Sequence, residues 1–312
     1  MKKFISRILI FTFPVILIWL GTEIMLRKVD YAVSKKAVYF ENHKSEIKIL
    51  ALGSSHFERG INPMFLDWPT LNLGNSGQRI NENYDLYKHF IKQLPQLKLV
   101  IVELSYDWLE RDKSLTPAII DHENLIYYDT NTFDRRVMPW DYSLYLSDSD
   151  YYSKILLDKL KGKTESGYNS FGFDTLRYFG YYQSVGYKNE KIEDQEIFVQ
   201  NAEDSAQFQK NVQVFKNLIK DCRNRGISVL IFNTPNHFRY NELRDPEIVS
   251  RRDSLENALL SEFAGLKILD LENNTDFTAK YFYNADHLNP KGAEKATRIL
   301  NEYISEHFSM TK

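Results

Sequence analysis

The chain of 312 residues contains a single cysteine, Cys222, so it can form neither an intramolecular disulfide nor a cysteine-rich metal site. It also lacks a basic excess, since 40 lysines and arginines stand against 42 aspartates and glutamates. This balance argues against a dedicated nucleic-acid-binding protein. No internal repeat or low-complexity tract is visible. The hydrophobic share of 43% instead predicts a folded chain with a large core.

A long apolar run lies near the N-terminus. Residues 8–26 are almost entirely apolar, with one carboxylate, Glu23, near the distal end, and basic residues precede them up to Arg7. This length is close to the roughly 20 residues that a helix needs to cross a bilayer. No small-residue cleavage site follows the run. We therefore expect an uncleaved signal anchor over residues 1–28, rather than a cleaved signal peptide or a buried helix of a soluble protein.

The charges around this run predict the orientation of the chain. Three cations before the run favour a cytoplasmic N-terminus, although the basic pairs Arg27-Lys28 and Lys35-Lys36 weaken that preference. We expect a single-pass protein of the cytoplasmic membrane, with the bulk of the chain on the extracytoplasmic side, periplasmic or outer. Residues 29–45 would form a juxtamembrane stalk, and residues 46–308 would form the main domain.

Strand and helix patterns alternate through the main domain. The predicted strands are 47–52, 70–74, 97–104, 227–232 and 266–271, and the predicted helices are 81–94, 205–225, 253–263 and 291–308. Such alternation is typical of an α/β fold with a parallel sheet, right-handed crossovers and helices on both faces. We therefore predict a flavodoxin-like, three-layer fold with a parallel five-stranded sheet.

A large insertion, about residues 105–200, interrupts this pattern and is too long for an ordinary loop. Aromatic residues recur through it from Trp108 to Tyr187, interleaved with glycines. Aromatic faces beside polar groups suit sugar rings or an interface. Alternatively, the rings form the core of a helical subdomain.

Polar residues collect where the predicted strands end. They are Ser54, Ser55 and His56 after the first strand, Gly74 at the end of the second, Tyr106 after the third, Asn236 and His237 after the fourth, and Asn284, Asp286 and His287 after the fifth. In parallel sheets, ligands bind outside the carboxyl ends of the strands. A nucleophilic serine needs a base within hydrogen-bond reach, so Ser55 and His287 form the candidate pair. Taken singly, the serine could be a helix cap and the histidine a capping or surface residue.

Short blocks in this order resemble those of the SGNH/GDSL hydrolase superfamily. They are Gly53-Ser54-Ser55-His56, then Asn72-Leu-Gly74-Asn-Ser76-Gly77, and then Asn284-Ala-Asp-His287 followed by Leu-Asn-Pro-Lys-Gly-Ala. With its membrane anchor, the chain is also similar to proteins of alginate and teichoic-acid acylation, which modify cell-envelope polymers. The insertion matches no block of the family.

The resemblance implies roles for individual residues. Ser55 would be the nucleophile and His287 the general base, and the backbone N–H groups of Ser55 and Gly74 would form the oxyanion hole. Two positions depart from the family. Tyr106 stands where the family has an asparagine donor, which makes it a weak oxyanion candidate. Asn284 stands where the family has the triad aspartate.

Further residues complete the predicted site. Asp286 could partly substitute for the missing triad carboxylate, although neighbouring residues rarely face each other well. Ser54, His56, Asn236 and His237 are candidates for the cleft wall. No cluster shows metal-ligand spacing, so we expect neither a metal nor a cofactor.

The resemblance implies a serine-dependent esterase or O-acyltransferase that acts on acyl groups of a cell-envelope glycan. Its expected partners are the membrane, the glycan or acyl donor, and a membrane-bound O-acyltransferase, with no nucleic acid. The departures at Tyr106 and Asn284 leave a second hypothesis open. In that hypothesis, a catalytically weak or inactive protein on the same fold binds polymer or partners in an envelope acylation complex.

Overall fold

The structure, a computed structural model, describes residues 2–162, 167–178, 180–201 and 203–310. Its strands are β1 Ile49–Leu52, β2 Thr70–Asn72, β3 Leu99–Val102, β4 Ser228–Asn233 and β5 Lys267–Asp270. They form one all-parallel sheet in the order β2-β1-β3-β4-β5. This is the strand order of flavodoxin-like sheets. The predicted α/β class and parallel five-stranded sheet are therefore confirmed.

The helices surround this sheet and extend from it at the N-terminus. They are α1 Lys2–Arg27, α2 Ala32–His43, α3 Ser55–Gly60, α4 Ile80–Phe90, α5 Ala118–Tyr128, α6 Leu144–Ser147, α7 Ser149–Leu160, α8 Tyr181–Ser184, α9 Ser205–Asn224, α10 Phe238–Glu242, α11 Pro246–Glu262 and α12 Pro290–His307. Short 3₁₀ turns lie between several of them.

Both faces of the sheet are buried along its central strands, as three layers require. Leu50 and Leu52 of β1 belong to a core shared with α2, α4 and α9, whereas Ile49 and Ala51 belong to a core shared with α3 and α12. Successive residues of a strand point to opposite faces. A strand that is covered on both sides therefore reads as a continuous apolar run, as β1 does.

The chain reverses its direction of winding between β1 and β3, which is where parallel sheets of this type bind ligands. The turn after β1 is tight at Gly53. A Cβ atom there would lie 2.6 Å from the Phe57 ring and 2.8 Å from Oε2 of Glu103, so glycine alone fits. The side-chain amide of Asn72 donates to the carbonyls of Phe57 and Ile61 and holds the end of α3 against β2.

The segment expected to be a stalk, residues 29–45, contains α2, and this helix packs on the domain. Tyr39 and Phe40 are buried in the core that includes α4. The Lys36 ammonium is also buried and donates to the Gly74 carbonyl at 2.6 Å. Only a few residues therefore separate the end of α1 from a helix that touches the loop after β2.

The insertion folds as short helices, α5 to α8, joined by irregular segments. Trp108, Tyr152 and Tyr182 are almost fully buried, so many of its rings do form core. Trp140, in contrast, is 54% exposed. The core alternative thus holds for these three buried rings, and a part in binding sugar rings or in an interface stays a prediction.

The apolar N-terminal run forms one helix, α1, with Pro14 inside it. The stretch Ser6–Arg27 is long and apolar enough to cross a membrane, and an 18-residue window within it has a mean hydropathy of 2.1. Only 6% of that window is buried inside the protein.

Candidate active site

Ser55 and His287 meet at the carboxyl edge of the sheet. Ser55 is the first residue of α3, directly after the β1 turn, and His287 lies in the loop between β5 and α12. The Ser55 Oγ atom is 2.8 Å from Nε2 of His287. The predicted pair is therefore within hydrogen-bond reach, although most of the chain separates the two residues.

Ser54, the other serine of the turn, has a structural role as the N-cap of α3. Its Oγ caps α3 by accepting from the His56 backbone N–H, and it donates to the Glu103 carboxylate at 2.9 Å. The helix-cap alternative thus applies to Ser54 and leaves Ser55 facing the histidine. As the first residue of α3, Ser55 also has a backbone N–H with no acceptor inside the helix.

Two side chains contact the far side of the His287 ring. Nδ1 is 2.8 Å from Oδ1 of Asp286 and 2.9 Å from Oδ1 of Asn284. Both oxygens can accept only if Nδ1 carries the proton, and Nε2 is then free to accept from the Ser55 hydroxyl. A carboxylate, that of Asp286, therefore contacts Nδ1 although position 284 is an asparagine.

A tight turn explains how the Asp286 carboxylate can contact the ring of His287, the next residue in the chain. The Tyr283 N–H donates to the His287 carbonyl at 2.8 Å, and Phe282 bridges to Leu288. The Asn284 side chain accepts from the His287 backbone N–H at 2.9 Å and closes the turn from inside. This folded loop presents both oxygens to one ring nitrogen.

A second histidine continues the chain of contacts. Nδ1 of His56 is 2.9 Å from Oε1 of Glu103, and its Nε2 is 3.5 Å from Oδ2 of Asp286. Glu103 is fully buried just after β3 and also accepts from the Ser54 N–H at 2.6 Å and the Ser105 hydroxyl at 2.5 Å. A continuous path of polar contacts thus joins Ser55 to Glu103.

The charges along this path alternate in sign. Burial opposes a charge on His56, but Glu103 and Asp286 outweigh it and raise the pKa of His56 to about 10. Burial likewise opposes the charge on Glu103, yet His56 and the surrounding donors lower the pKa of Glu103 to about 2. His56 is therefore an imidazolium held between two carboxylates at neutral pH.

The balance at His287 is different. Burial lowers its pKa below the usual 6.5, and the positive charges of Arg59 and His56 add to this effect, while Asp286 opposes it. The pKa of Asp286 is held well below its usual range, because His287 and His56 outweigh the effect of burial. At neutral pH, His287 is thus a neutral base beside an ionised carboxylate, as proton abstraction from a serine requires.

Sequence reasoning missed Glu103, although a signal for it exists. It is the one carboxylate in the run Leu97–Leu104, which is otherwise apolar apart from Lys98. A carboxylate at the end of a buried strand needs partners that stabilise its charge, since unpaired buried charges are costly. Two of its partners, Ser54 and His56, come from the turn after β1 and were not predictable from the strand alone.

Two predicted oxyanion donors are engaged elsewhere. The Gly74 N–H donates to Oδ1 of Asn72 at 2.9 Å. The Tyr106 hydroxyl donates to Oδ1 of Asn201 at 2.7 Å and accepts from the Asp245 N–H at 2.6 Å. Of the three predicted donors, the Ser55 N–H alone lies at the start of α3 beside the serine hydroxyl.

The other cleft candidates lie in a separate environment. Asn236 and His237 line a cavity of about 530 Å³, and among the described residues neither Ser55 nor His287 belongs to that lining. The His237 N–H donates to the Ala285 carbonyl at 2.8 Å, so a residue of the cavity wall contacts the loop that carries His287.

Among the described residues, one group could hold a metal ion. His56, Asp286 and His287 offer ligand atoms that all lie within 4.8 Å of one another. The same atoms already contact each other, Ser55 and Glu103. The expectation of a metal-free site stays a prediction, and activity that survives EDTA would support it.

No protein-family model matches the chain, and a search of the curated proteins finds no match either.

Proposed function

We propose that this protein is a serine-dependent esterase or O-acyltransferase of the SGNH/GDSL type, acting on acyl groups of a cell-envelope glycan. One observation carries the proposal. Ser55 Oγ lies 2.8 Å from Nε2 of His287, whose Nδ1 lies 2.8 Å from the Asp286 carboxylate. A nucleophile, a base and an acid that orients the base are the parts that acyl transfer needs.

The proposed reaction has two halves. The Ser55 Oγ attacks the acyl carbonyl while its proton passes to Nε2 of His287. The tetrahedral adduct collapses, the C–O bond to the leaving alcohol breaks, and the alcohol takes the proton from His287. This leaves an acyl-serine. Water or a sugar hydroxyl then attacks the acyl carbon and gives its proton to His287. The bond between the acyl carbon and Ser55 Oγ breaks, Oγ takes the proton back from His287, and the free acid or the new sugar ester leaves.

The start of α3 would stabilise the negative charge of the adduct. The Ser55 N–H has no acceptor within the helix and lies beside the attacking oxygen. The positive end of a helix favours an anion at this position.

The location of the reaction follows from α1 in this proposal. The helix is long and apolar enough to anchor the chain in the cytoplasmic membrane, and the basic residues before it favour an extracytoplasmic domain. A glycan or acyl donor of the envelope would then reach Ser55 from outside. A membrane-bound O-acyltransferase would be a neighbour in the same membrane.

Covalent labelling with a fluorophosphonate tests the enzymatic proposal. The wild-type protein should be labelled, and Ser55→Ala should not be. Ser261→Ala, on the exposed side of α11, is the matched control and should label like wild type. Equal labelling of Ser55→Ala and wild type would contradict the proposal.

The second candidate is a catalytically weak or inactive protein of the same fold that binds polymer or partners. The observations that favour it are the engaged donors, since the Gly74 N–H and the Tyr106 hydroxyl both have other partners. Loss of one oxyanion donor typically costs about 10² to 10³ in rate. This candidate predicts no labelling of Ser55, but glycan binding that survives Ser55→Ala.

A further inference from the structure

The carboxylate of Glu23 is the one acidic group within the apolar stretch of α1, and it is buried against the insertion. It accepts from the Ser143 hydroxyl at 2.5 Å, from the Leu144 N–H at 3.1 Å and from the Tyr145 N–H at 3.0 Å. These backbone groups belong to the first turn of α6 and have no acceptor inside that helix. Glu23 therefore connects α1 directly to the insertion.

Further contacts continue this connection to the end of α1. The Leu26 side chain is 1% exposed and packs in a small cluster with Leu144 and Tyr152. The Arg27 guanidinium donates to the Tyr142 carbonyl at 2.7 Å. Hydrogen bonds and apolar packing together bind the last turn of α1 to residues 142–152, so this junction is a packed interface.

Large side chains beside this junction are exposed. They are Trp140, Tyr142 and Leu146, which we call the junction patch. Tyr142 and Leu146 flank the residues that Glu23 contacts, and Tyr142 is itself the partner of Arg27. Scattered exposed apolar side chains are ordinary, but tryptophan and tyrosine at the end of an apolar helix are typical of the membrane–water interface.

We propose that the junction patch lies in the headgroup region of the bilayer. The insertion would thereby hold the domain in one orientation on the membrane surface, an arrangement that we call the seating. This inference rests on the anchoring part of the proposed function. Arg27 ends the apolar stretch, so a residue hydrogen-bonded to Arg27 stands at the depth where the helix leaves the hydrocarbon. Because α1 fixes the depth of the junction patch at the edge of the hydrocarbon, we infer that lipid contacts the patch.

The seating has a consequence for the substrate. A flexible stalk would let the domain swing freely, whereas the Glu23 contacts and the packed α2 hold it in one orientation. Lys36 of α2 contacts the Gly74 carbonyl and connects the membrane end of the chain to the loop after β2. The carboxyl edge of the sheet, which carries Ser55, thus stands at a fixed height above the bilayer. This height suits an acyl donor or polymer held at the membrane surface.

Tryptophan fluorescence of the full chain in phosphatidylcholine bilayers tests the proposal. Some of the lipids carry bromine high in their acyl chains, where it quenches nearby rings. Quenching should be smaller in Trp140→Phe than in wild type. Trp68→Phe, which changes a half-buried ring beside β2, is the matched control and should keep the wild-type quenching.

The variant Trp19→Phe distinguishes a failure of the membrane anchor from a failure of the seating. Trp19 lies within α1, so a loss of quenching in this variant shows that the helix is in the bilayer. If Trp19 is quenched but Trp140 instead responds to aqueous iodide, the seating is wrong and the anchor stands. If neither is quenched, the anchor and the seating both fail, while fluorophosphonate labelling still reports on the enzyme.

Glu23→Ala tests the connection itself. This variant loses three hydrogen bonds but keeps the apolar helix, so quenching of Trp140 should fall while that of Trp19 persists. Unchanged quenching of Trp140 would overturn the role of Glu23. A photo-crosslinker at position 140 that captures protein rather than lipid in native membranes would overturn the choice of lipid.

Discussion

His56 and His237 each follow a strand at the carboxyl edge of the sheet, and their environments differ. His56 lies between the carboxylates of Glu103 and Asp286, and its pKa is raised to about 10. His237 is packed among aromatic rings, with ring centres 4.9 Å from Tyr182 and 4.6 Å from Phe238. Burial and the charge of Arg239 lower its pKa to about 4.

The difference shows that a buried histidine without a nearby carboxylate stays neutral, whereas two nearby carboxylates keep His56 charged. His287 stands between these extremes. Its pKa is lowered as that of His237 is, yet it keeps one carboxylate, Asp286, and one nucleophile, Ser55. A neutral ring with a proton donor on one side and an acceptor on the other is the arrangement expected of a general base.

The largest expected effect is the difference in activity between variants of His287 and His237. His287→Ala should lower kcat on an aryl acetate by roughly 10⁴-fold or more, since it removes the base. His237→Ala should leave most of the activity of the folded protein, because its ring contacts neither Ser55 nor His287. Equal losses at both positions would mean that the base is wrongly assigned.

The next effect concerns the carboxylate beside His287. Asp286→Asn should lower kcat/KM by about 10² to 10⁴, because the imidazolium that forms during attack loses its counter-charge. Asn284→Asp should bring no gain, since Asp286 already contacts Nδ1. A large gain in Asn284→Asp, with little loss in Asp286→Asn, would assign the orienting role to position 284 instead. Steady-state kinetics on an aryl acetate decides between them.

The buried pair of His56 and Glu103 should contribute mainly to stability. Glu103→Gln leaves an imidazolium without its closest counter-charge and should lower the free energy of unfolding by about 3 to 5 kcal/mol. Urea unfolding measures this loss. The exposed Glu302→Gln is the control and should change little. Adding His56→Gln to Glu103→Gln should recover part of the loss, and an equal or larger loss in the double variant would argue against the pairing.

The smallest expected effect is the position of the acid limb in the pH profile. The pKa of His287 is lowered, so the base is neutral above its usual value of 6.5 and becomes protonated only below it. Activity should therefore hold at pH 6.5 and fall as the pH drops further. His56 keeps its charge until about pH 10, so the network should stay intact through the neutral range. An acid limb above pH 6.5 in a kcat/KM profile would contradict this assignment.

Much of the fold could be predicted because its signals are local. The run Leu97–Leu104 predicts a strand by its own composition, and β3 lies within it. The helix predicted over 205–225 is observed at Ser205–Asn224, where an apolar stripe and a following glycine mark its face and its end. The segment expected to be a stalk shows the limit of this reasoning, since the burial of Lys36 depends on the Gly74 carbonyl, to which it donates.

The site, like the fold, could be predicted where its signals are local. Strand ends bring Ser55 and His287 to one edge, because parallel strands have their carboxyl ends on the same side. The choice between Asn284 and Asp286 was not predictable, since it depends on a turn closed by the Tyr283 N–H and the His287 carbonyl. Glu103 was missed for a similar reason, because its three partners lie on two separate turns.

The sequence by itself therefore determined the apolar length of α1, the parallel sheet and the edge at which the serine and the histidine meet. Periodicity and strand ends depend on near neighbours in the chain, and these can be read directly. Only the tertiary structure decided the charge of His56, the carboxylate that contacts His287 and the partners of Glu23. Each of these depends on atoms brought within about 3 Å from a turn or from a distant segment, where Coulomb energy and burial are strongest.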